Sequence, residues 1–340
     1  MPGRVNRLLS IVVPVLNESE NIPPLHARLA AVAAQLDRDV ELIFVDDGST
    51  DDSFERLREL AGRDPRVVVV RLSRNFGSHG ACLAGFSHAT GDHAVILAAD
   101  LQDPPELIVD LLREADAGHD IVLGCRSDRD DPKLTVFLST LYNRMMRRIA
   151  IPTWPEQGFD FILVSRAVMD VVLGRPERNS SLFAQILWTG FPQSSVPYRR
   201  ASRLLGRSKW TLGKKVKLLL DSLIAFSFFP IRAMSVVGVL CALGGLTYAA
   251  AVVALRITRG TAVTGWASLM VVVLLIGGVQ MLMLGMTGEY LWRALDEGRG
   301  RPPYIVRQTV GKHGGRSRPA EGDQGVLRTA ANRGAADASE

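Results

Sequence analysis

The sequence is short of several things, and each absence narrows what it can be. Its three cysteines, Cys82, Cys125 and Cys241, have neither the spacing of a metal site nor that of a redox dithiol, which leaves a reduced, disulfide-free setting as the expectation. Neither glycine-rich phosphate loop occurs, G-x-G-x-x-G or G-x-x-x-x-G-K-[ST], so any nucleotide must be held by other means. Lysine is scarce and most of the basic charge is arginine. The balance of 40 basic against 35 acidic residues is only mildly positive, and no nucleic-acid partner is expected from it. The first apolar run, Leu8–Leu16, is broken by Pro14 and followed by charge. It reads as a strand rather than a signal peptide.

Charge is also missing from two long stretches, Met234–Leu255 and Trp266–Gly288. At 1.5 Å per residue each helix would rise about 33 Å, matching a hydrocarbon core of about 30 Å. Two such runs separated by a short loop read as a membrane hairpin rather than as buried core helices. Basic residues crowd its outer ends: Arg199, Arg200, Arg203, Arg207, Lys209, Lys214, Lys215, Lys217 and Arg232 before it, and Arg293, Arg299, Arg301 and Arg307 after it. The connecting loop holds only Arg256 and Arg259. The positive-inside rule then puts both chain ends in the cytoplasm, with Trp266, Tyr290 and Trp292 as interfacial aromatics. Leu212–Phe229, with its lysines first and an apolar face after them, reads as an amphipathic helix in the headgroup plane. Residues from about 312 onward hold almost no large apolar side chains and are expected to be disordered.

The first two hundred residues alternate short apolar runs with helical stretches. Strands are expected at Leu8–Pro14, Glu41–Val45, Arg66–Leu72, Ala94–Ala99, Asp120–Gly124 and Gly158–Val164, with an edge strand at Ser195–Tyr198. Helices are expected near 22–36, 52–61, 79–89, 105–117, 133–149 and 179–189. This alternation predicts a doubly wound, mostly parallel α/β sheet. Three of its strands end in polar or acidic groups: Asn17-Glu18, Asp46-Asp47 and Asp100. Carboxylates gathered at one sheet edge repel unless they bind a ribose, a base or a metal. The central stretch Ala94–Glu106 (AVILAADLQDPPE) is the most pointed of these. Asp100 and Gln102 sit two apart, on one face if the chain is extended, and oxygen ligands of this kind suit a hard cation that also takes substrate phosphates. The plain alternative is a strand-to-helix turn capped by an aspartate.

Four strings in order, PVLNE (Pro14–Glu18), VDDGSTD (Val45–Asp51), RNFG (Arg74–Gly77) and ADLQDPPE (Ala99–Glu106), resemble family 2 glycosyltransferases of the GT-A fold. More narrowly they resemble the branch that glycosylates polyprenyl phosphates, whose bacterial members carry a two-span tail. The resemblance implies that Pro14, Asn17 and Glu18 contact the base region of a nucleotide-sugar donor, and that Asp46 and Asp47 hold base or ribose. It places Asn75 and Gly77 on the donor side too. Asp100 and Gln102 would hold a divalent metal, Mg²⁺ or Mn²⁺. Asp160, in Gly158–Phe161, is similar to an acceptor-side aspartate of the family. Arg203–Trp210 (RLLGRSKW) is similar to the family's G-[RK]-S-K-[WY] loop, making Arg207, Ser208 and Lys209, with Arg126, candidates for the acceptor phosphate. One departure stands out. Where the family often has the first acid of D-x-D, this chain has Ala98.

The organisation expected is therefore a Rossmann-like GT-A catalytic domain over 1–211, an interfacial helix over 212–232, a transmembrane hairpin over 233–290 and a tail over 291–340. The protein would be an integral protein of the bacterial plasma membrane, moving a sugar to a polyprenyl phosphate with inversion. Self-association is allowed by the small residues Gly244/Gly245 and Gly277/Gly278. Two other readings stay open: a transferase acting on a glycolipid or polysaccharide, and a non-catalytic membrane scaffold that keeps the fold. The string Gln185–Trp188 lacks the arginine of the Q-x-x-R-W motif of processive synthases.

Overall fold

Strand β1 (Leu8–Val15) runs through the middle of the sheet, because its side chains are apolar on both faces. The computed structural model describes residues 7–126, 139–140, 142–177, 180–199, 229–259 and 265–311. Parallel to β1 lie β2 (Asp39–Asp46) on one side and β4 (His93–Ile96) on the other, and β3 (Val67–Leu72) extends the sheet beyond β2. Beyond β4 come β6 (Phe159–Ser165), β5 (Ile121–Arg126) and β7 (Gln193–Tyr198). Strand β6 is antiparallel to both β4 and β5, while β5 and β7 run parallel. With β8 (Val306–Val310) beyond β3, the order is β7-β5-β6-β4-β1-β2-β3-β8, so the sheet is mixed rather than fully parallel.

Helices cover both faces, as a doubly wound sheet requires. On one face pack α1 (Ile22–Ala33), α2 (Ser53–Arg63) and α4 (Ile108–Asp116), with Leu25, Leu29, Leu57 and Leu111 fully buried. On the other pack α3 (Ser78–His88), α5 (Arg166–Gly174) and α6 (Leu182–Trp188), with Phe86, Val168 and Ile186 fully buried. Burying a side chain of this size stabilises the fold by about 1.5–3 kcal/mol. Two helices long and apolar enough to cross a membrane follow, α7 (Phe229–Arg259) and α8 (Trp266–Gly298). Both run beyond the charge-free stretches seen in the sequence.

Two expectations are corrected. Residues 291–340 do not form only a tail: Val306–Val310 is strand β8, antiparallel on β3 and closing that edge of the sheet. The central strand stops at Ile96, so Asp100 and Gln102 stand on a turn beyond it rather than on extended chain. Leu101, at φ +59, makes that turn, with its side chain buried beneath. The expected helix over 133–149 lies partly outside the described residues, as do the stretch 200–228 and everything from 312.

Strands β1 to β5 and β7 all point one way, so their C-terminal ends share an edge, and antiparallel β6 and β8 begin there. The opposite edge is closed by structure. Buried Glu41 accepts from Ser10 Oγ at 2.5 Å, Thr90 N at 2.6 Å and Thr90 Oγ1 at 2.9 Å. Arg166 donates to the carbonyls of Ala89 and Gly91. A buried polar group satisfied this fully belongs to the scaffold.

Candidate functional site

The C-terminal edge gathers the residues the sequence singled out. Asn17 follows β1 at φ +52, a conformation asparagine tolerates better than most residues. Its Oδ1 accepts from Thr50 N at 2.8 Å, and its own N–H donates to Ser49 Oγ at 3.0 Å. Glu18 N–H donates to Ser53 Oγ at 2.9 Å, and Glu18 Oε2 accepts from Asn21 Nδ2 at 2.7 Å. The loops after β1 and β2 are thereby sewn together. Asp51 takes part, accepting from Ser53 N and Ser19 N. Burial pulls its pKa up, but the hydrogen bonds from the two serines outweigh this and hold it below the ordinary carboxylate value.

Asp46 and Asp47 end β2 almost wholly out of solvent, and both carboxylates are engaged within the protein. Asp46 Oδ1 accepts from Ser49 N at 3.0 Å, and its Oδ2 lies 3.3 Å from Arg71 Nε. The Arg71 guanidinium also stacks on Phe54, 4.1 Å from the ring centre. Asp47 takes the N–H groups of Phe76 at 2.7 Å and Gly77 at 2.9 Å, one on each oxygen. Its pKa is raised, because burial outweighs those two bonds. Asp47 therefore anchors the loop Arg74–Gly77, in which Asn75 Oδ1 also accepts from Gly77 N. Behind Asp47 the buried Cys82 thiol is pushed up to about 12, which makes it unreactive.

The Asp100 turn is held from two sides. Gln102 N–H donates to Asp100 Oδ1 at 3.3 Å, while Arg28 on α1 grips Glu106 through Nε at 3.2 Å and Nη2 at 2.7 Å. Buried Asp103 accepts from Tyr198 Oη at 2.6 Å. Tyr198 stands opposite Arg126 in the β5–β7 register, so one hydrogen bond ties the turn to the strand end that carries Arg126. Asp100, Gln102 and Arg126 are all half-buried. Asp160 is the second residue of β6, at the same edge. Pro14 lies near the end of β1, paired in register with Val45. Arg207, Ser208 and Lys209 lie outside the described residues.

Several of these links have no counterpart in the sequence pattern. Arg71 interrupts the apolar strand VVVVRL, and a lone charge there was a usable sign of a buried acid nearby. Tyr198 gave no such sign. His79 gave little: its ring accepts Leu182 N–H at 2.6 Å, joining α3 to α6, and burial pushes its pKa down from 6.5 to about 4. A base depressed on folding adds stability that is complete above its unfolded pKa and lost as pH falls. Thermal stability should therefore fall between about pH 6.5 and pH 4, and His79→Ala should flatten that part of a melting-temperature profile.

Among the described residues, no group of three or more His, Cys, Asp or Glu side chains is placed to hold a metal ion. The Asp100 turn supplies one carboxylate and one amide oxygen, half-exposed at the edge. That set fits a hard cation which keeps several waters and takes its other ligands from phosphate oxygens.

Residues 10–173 match the family described as glycosyl transferase family 2. An uncharacterised glycosyltransferase of Bacillus subtilis, YkcC, is 38% identical over 305 residues, spanning 89% of this chain and 94% of that protein. The chain belongs to glycosyl transferase family 2. Within this family, the prophage bactoprenol glucosyl transferase homolog of Escherichia coli is 37% identical, over 88% of this chain and 98% of its own length. Among solved structures, the mannosyltransferase PcManGT of Pyrobaculum calidifontis, in complex with GDP-Man and Mn²⁺, is 16% identical with a TM-score of 0.44, over 85% of this chain and 88% of that one. That likeness is too distant to bear on individual residues of this transferase.

Proposed function

We propose that this transferase moves a sugar from a nucleotide donor to a polyprenyl phosphate at a membrane surface, inverting the anomeric centre. The observation that carries the proposal is the shared edge. Asn17, the Arg74–Gly77 loop, the Asp100 turn, Arg126 and Asp160 all stand at the sheet edge on which β8 begins, and β8 is reached directly from α8. The linker Arg299–Ile305 can span at most about 25 Å, and the charged end of α8, Glu289–Gly298, adds about 15 Å of helix. A site tethered this closely to two apolar helices suits an acceptor that stays in the bilayer, by raising its effective concentration. The bactoprenol names of the relatives support the same acceptor.

The chemistry asks little of a base. A phosphate monoester has its second pKa near 6, so at neutral pH it is largely a dianion ready to attack. The protein must instead bring two anions together. Arg126 is assigned to the acceptor phosphate, with Arg207, Ser208 and Lys209 beside it, and Asp160 to orienting acceptor or sugar. Asn17 and Glu18 meet the base region, together with the loop that Asp47 holds in place. Asp100 and Gln102 would hold Mg²⁺ or Mn²⁺, which when bound supplies positive charge to the departing diphosphate.

Purified protein, given Mg²⁺ or Mn²⁺, a panel of sugar nucleotides and undecaprenyl phosphate, should yield a labelled lipid extractable into chloroform. A scaffold, the alternative that Ala98 favours, would bind donor and give no product with any sugar. The topology gives a further test. The chain leaves the sheet for α7 and returns to it as β8, so two crossings put both outer helix ends on the sheet's side. We place that side in the cytoplasm. A reporter inserted near Gly260 should then be active only outside it, and a cytoplasmic signal would overturn the hairpin.

A further inference from the structure

What the returning chain meets is the donor side of the site. Ile305 O accepts Ser73 N–H at 2.9 Å, immediately before Arg74. Strand β8 then pairs along β3, with Gln308 opposite Arg71, the residue that grips Asp46. Gly311 closes the strand at φ +101, where a Cβ would stand 2.4 Å from Val67 O. Just before β8, the Tyr304 hydroxyl donates to Ser87 Oγ at 2.8 Å on α3. Burial around that hydroxyl raises its pKa. One stack joins these parts. A Cβ on Gly80 would lie 2.9 Å from Phe76 Cβ, 3.2 Å from Pro303 O and 3.8 Å from Tyr304 Cβ. Pro303, Tyr304 and Phe76 thus crowd the same point of α3, at Gly80. Phe76 and Gly77 are the residues whose N–H groups hold Asp47.

We propose that Pro303–Val310 is a strap through which the second apolar helix holds the donor loop Arg74–Gly77 in its binding conformation, with Tyr304 as the positioning residue. Tyr304 acts through α3 and Phe76 and need not touch the substrate. A five-residue edge strand with a largely exposed face sits at the low-stability end of a sheet, so contacts just outside it, such as the Tyr304–Ser87 bond, bear on its docking. Anything that shifts α8, reached through the short run Arg299–Pro302, therefore alters donor affinity before it alters the chemistry at the acceptor. The inference rests on the donor site proposed above.

The test uses the full-length protein in nanodiscs and reads two quantities. One is affinity for a panel of nucleoside diphosphates in Mn²⁺; the other is hydrogen exchange at the Phe76 and Gly77 amides. Tyr304→Ala should weaken nucleotide binding about tenfold and speed both amides, with the acceptor KM and kcat within about twofold of wild type. Tyr304→Phe, which keeps the ring, should restore most of the loss. If Tyr304→Ala does not accumulate, Tyr304→Leu carries the same expectation. Unchanged exchange at both amides, or an equal fall in every kinetic constant, overturns the strap. Should the wild-type protein bind no nucleoside diphosphate while exchange still responds to Tyr304, the donor-site reading fails and the mechanical link stands.

Discussion

Asp100→Ala should lower kcat by at least about a thousandfold while the protein stays folded. The magnitude follows from what is removed. Asp100 is the carboxylate of the turn assigned to the cation, and groups that stabilise charge developing at a leaving oxygen are each worth about 10²–10³ in rate. Loss of a metal ligand adds to this by weakening occupancy. The structural cost is small by comparison. Asp100 is half-buried and accepts a long backbone hydrogen bond from Gln102 N at 3.3 Å, and a bond of that kind contributes about 1 kcal/mol. A thousandfold in rate is about 4 kcal/mol, so the two effects separate cleanly. Melting temperature should hardly move while turnover disappears. Gln102→Ala, which removes a neutral ligand, should cost about tenfold and raise the Mg²⁺ or Mn²⁺ concentration needed for half-maximal rate. An Asp100→Ala enzyme with full activity would remove the metal assignment and leave the turn as a cap.

The strand ends were legible in the sequence because buried strands are apolar throughout and stop where a charge appears. Asp46 and the Asn17-Glu18 pair mark such stops, while Asp100 lies four residues past the end of β4 at Ile96, and the doubly wound pattern brings these strand ends to one edge. The geometry beyond each stop was not legible. Leu101 adopts a left-handed conformation that its residue type disfavours, and only burial of its side chain in the folded protein accounts for it. Apart from Ser49, three residues on, the partners of Asp46 and Asp47 come from Arg71 and from a loop about thirty residues on, so local pattern could not name them. Strand β8 escaped for a different reason. It has five residues with the middle three exposed, and it follows a long apolar helix. Its pairing with β3 is a tertiary choice that a two-residue period over VRQTV does not announce. Composition registers what a residue buries and says little about which distant backbone it meets.

The second large effect concerns one such meeting. Gly48→Ala should destabilise the protein by about 3–4 kcal/mol and take donor binding with it. Gly48 has φ +72, and a Cβ there would stand 2.7 Å from the carbonyl carbon of Arg74, 2.9 Å from Asn75 N and 3.0 Å from Arg74 Cα. An alanine in the left-handed region costs about 1–2 kcal/mol. Overpacking against a filled site typically costs a further 1–3 kcal/mol, and here the obstacles are backbone atoms that cannot rotate aside. In a chain of this size that is a fall of roughly 10 °C in melting temperature. Relief could come only from moving Arg74 and Asn75 outward, which strains the bonds from Phe76 and Gly77 to Asp47. Donor affinity should accordingly fall more than tenfold even at temperatures where the variant is folded. Gly62→Ala is the control. Gly62 lies inside α2, where an added Cβ would meet nothing within 4 Å, and alanine there should gain about 0.5–1 kcal/mol. If the Gly48 variant both melts with wild type and binds donor as wild type does, the close approach of the two loops is not what fixes the donor side. A normal melting temperature with lost binding would instead place the whole effect in the loop Arg74–Gly77.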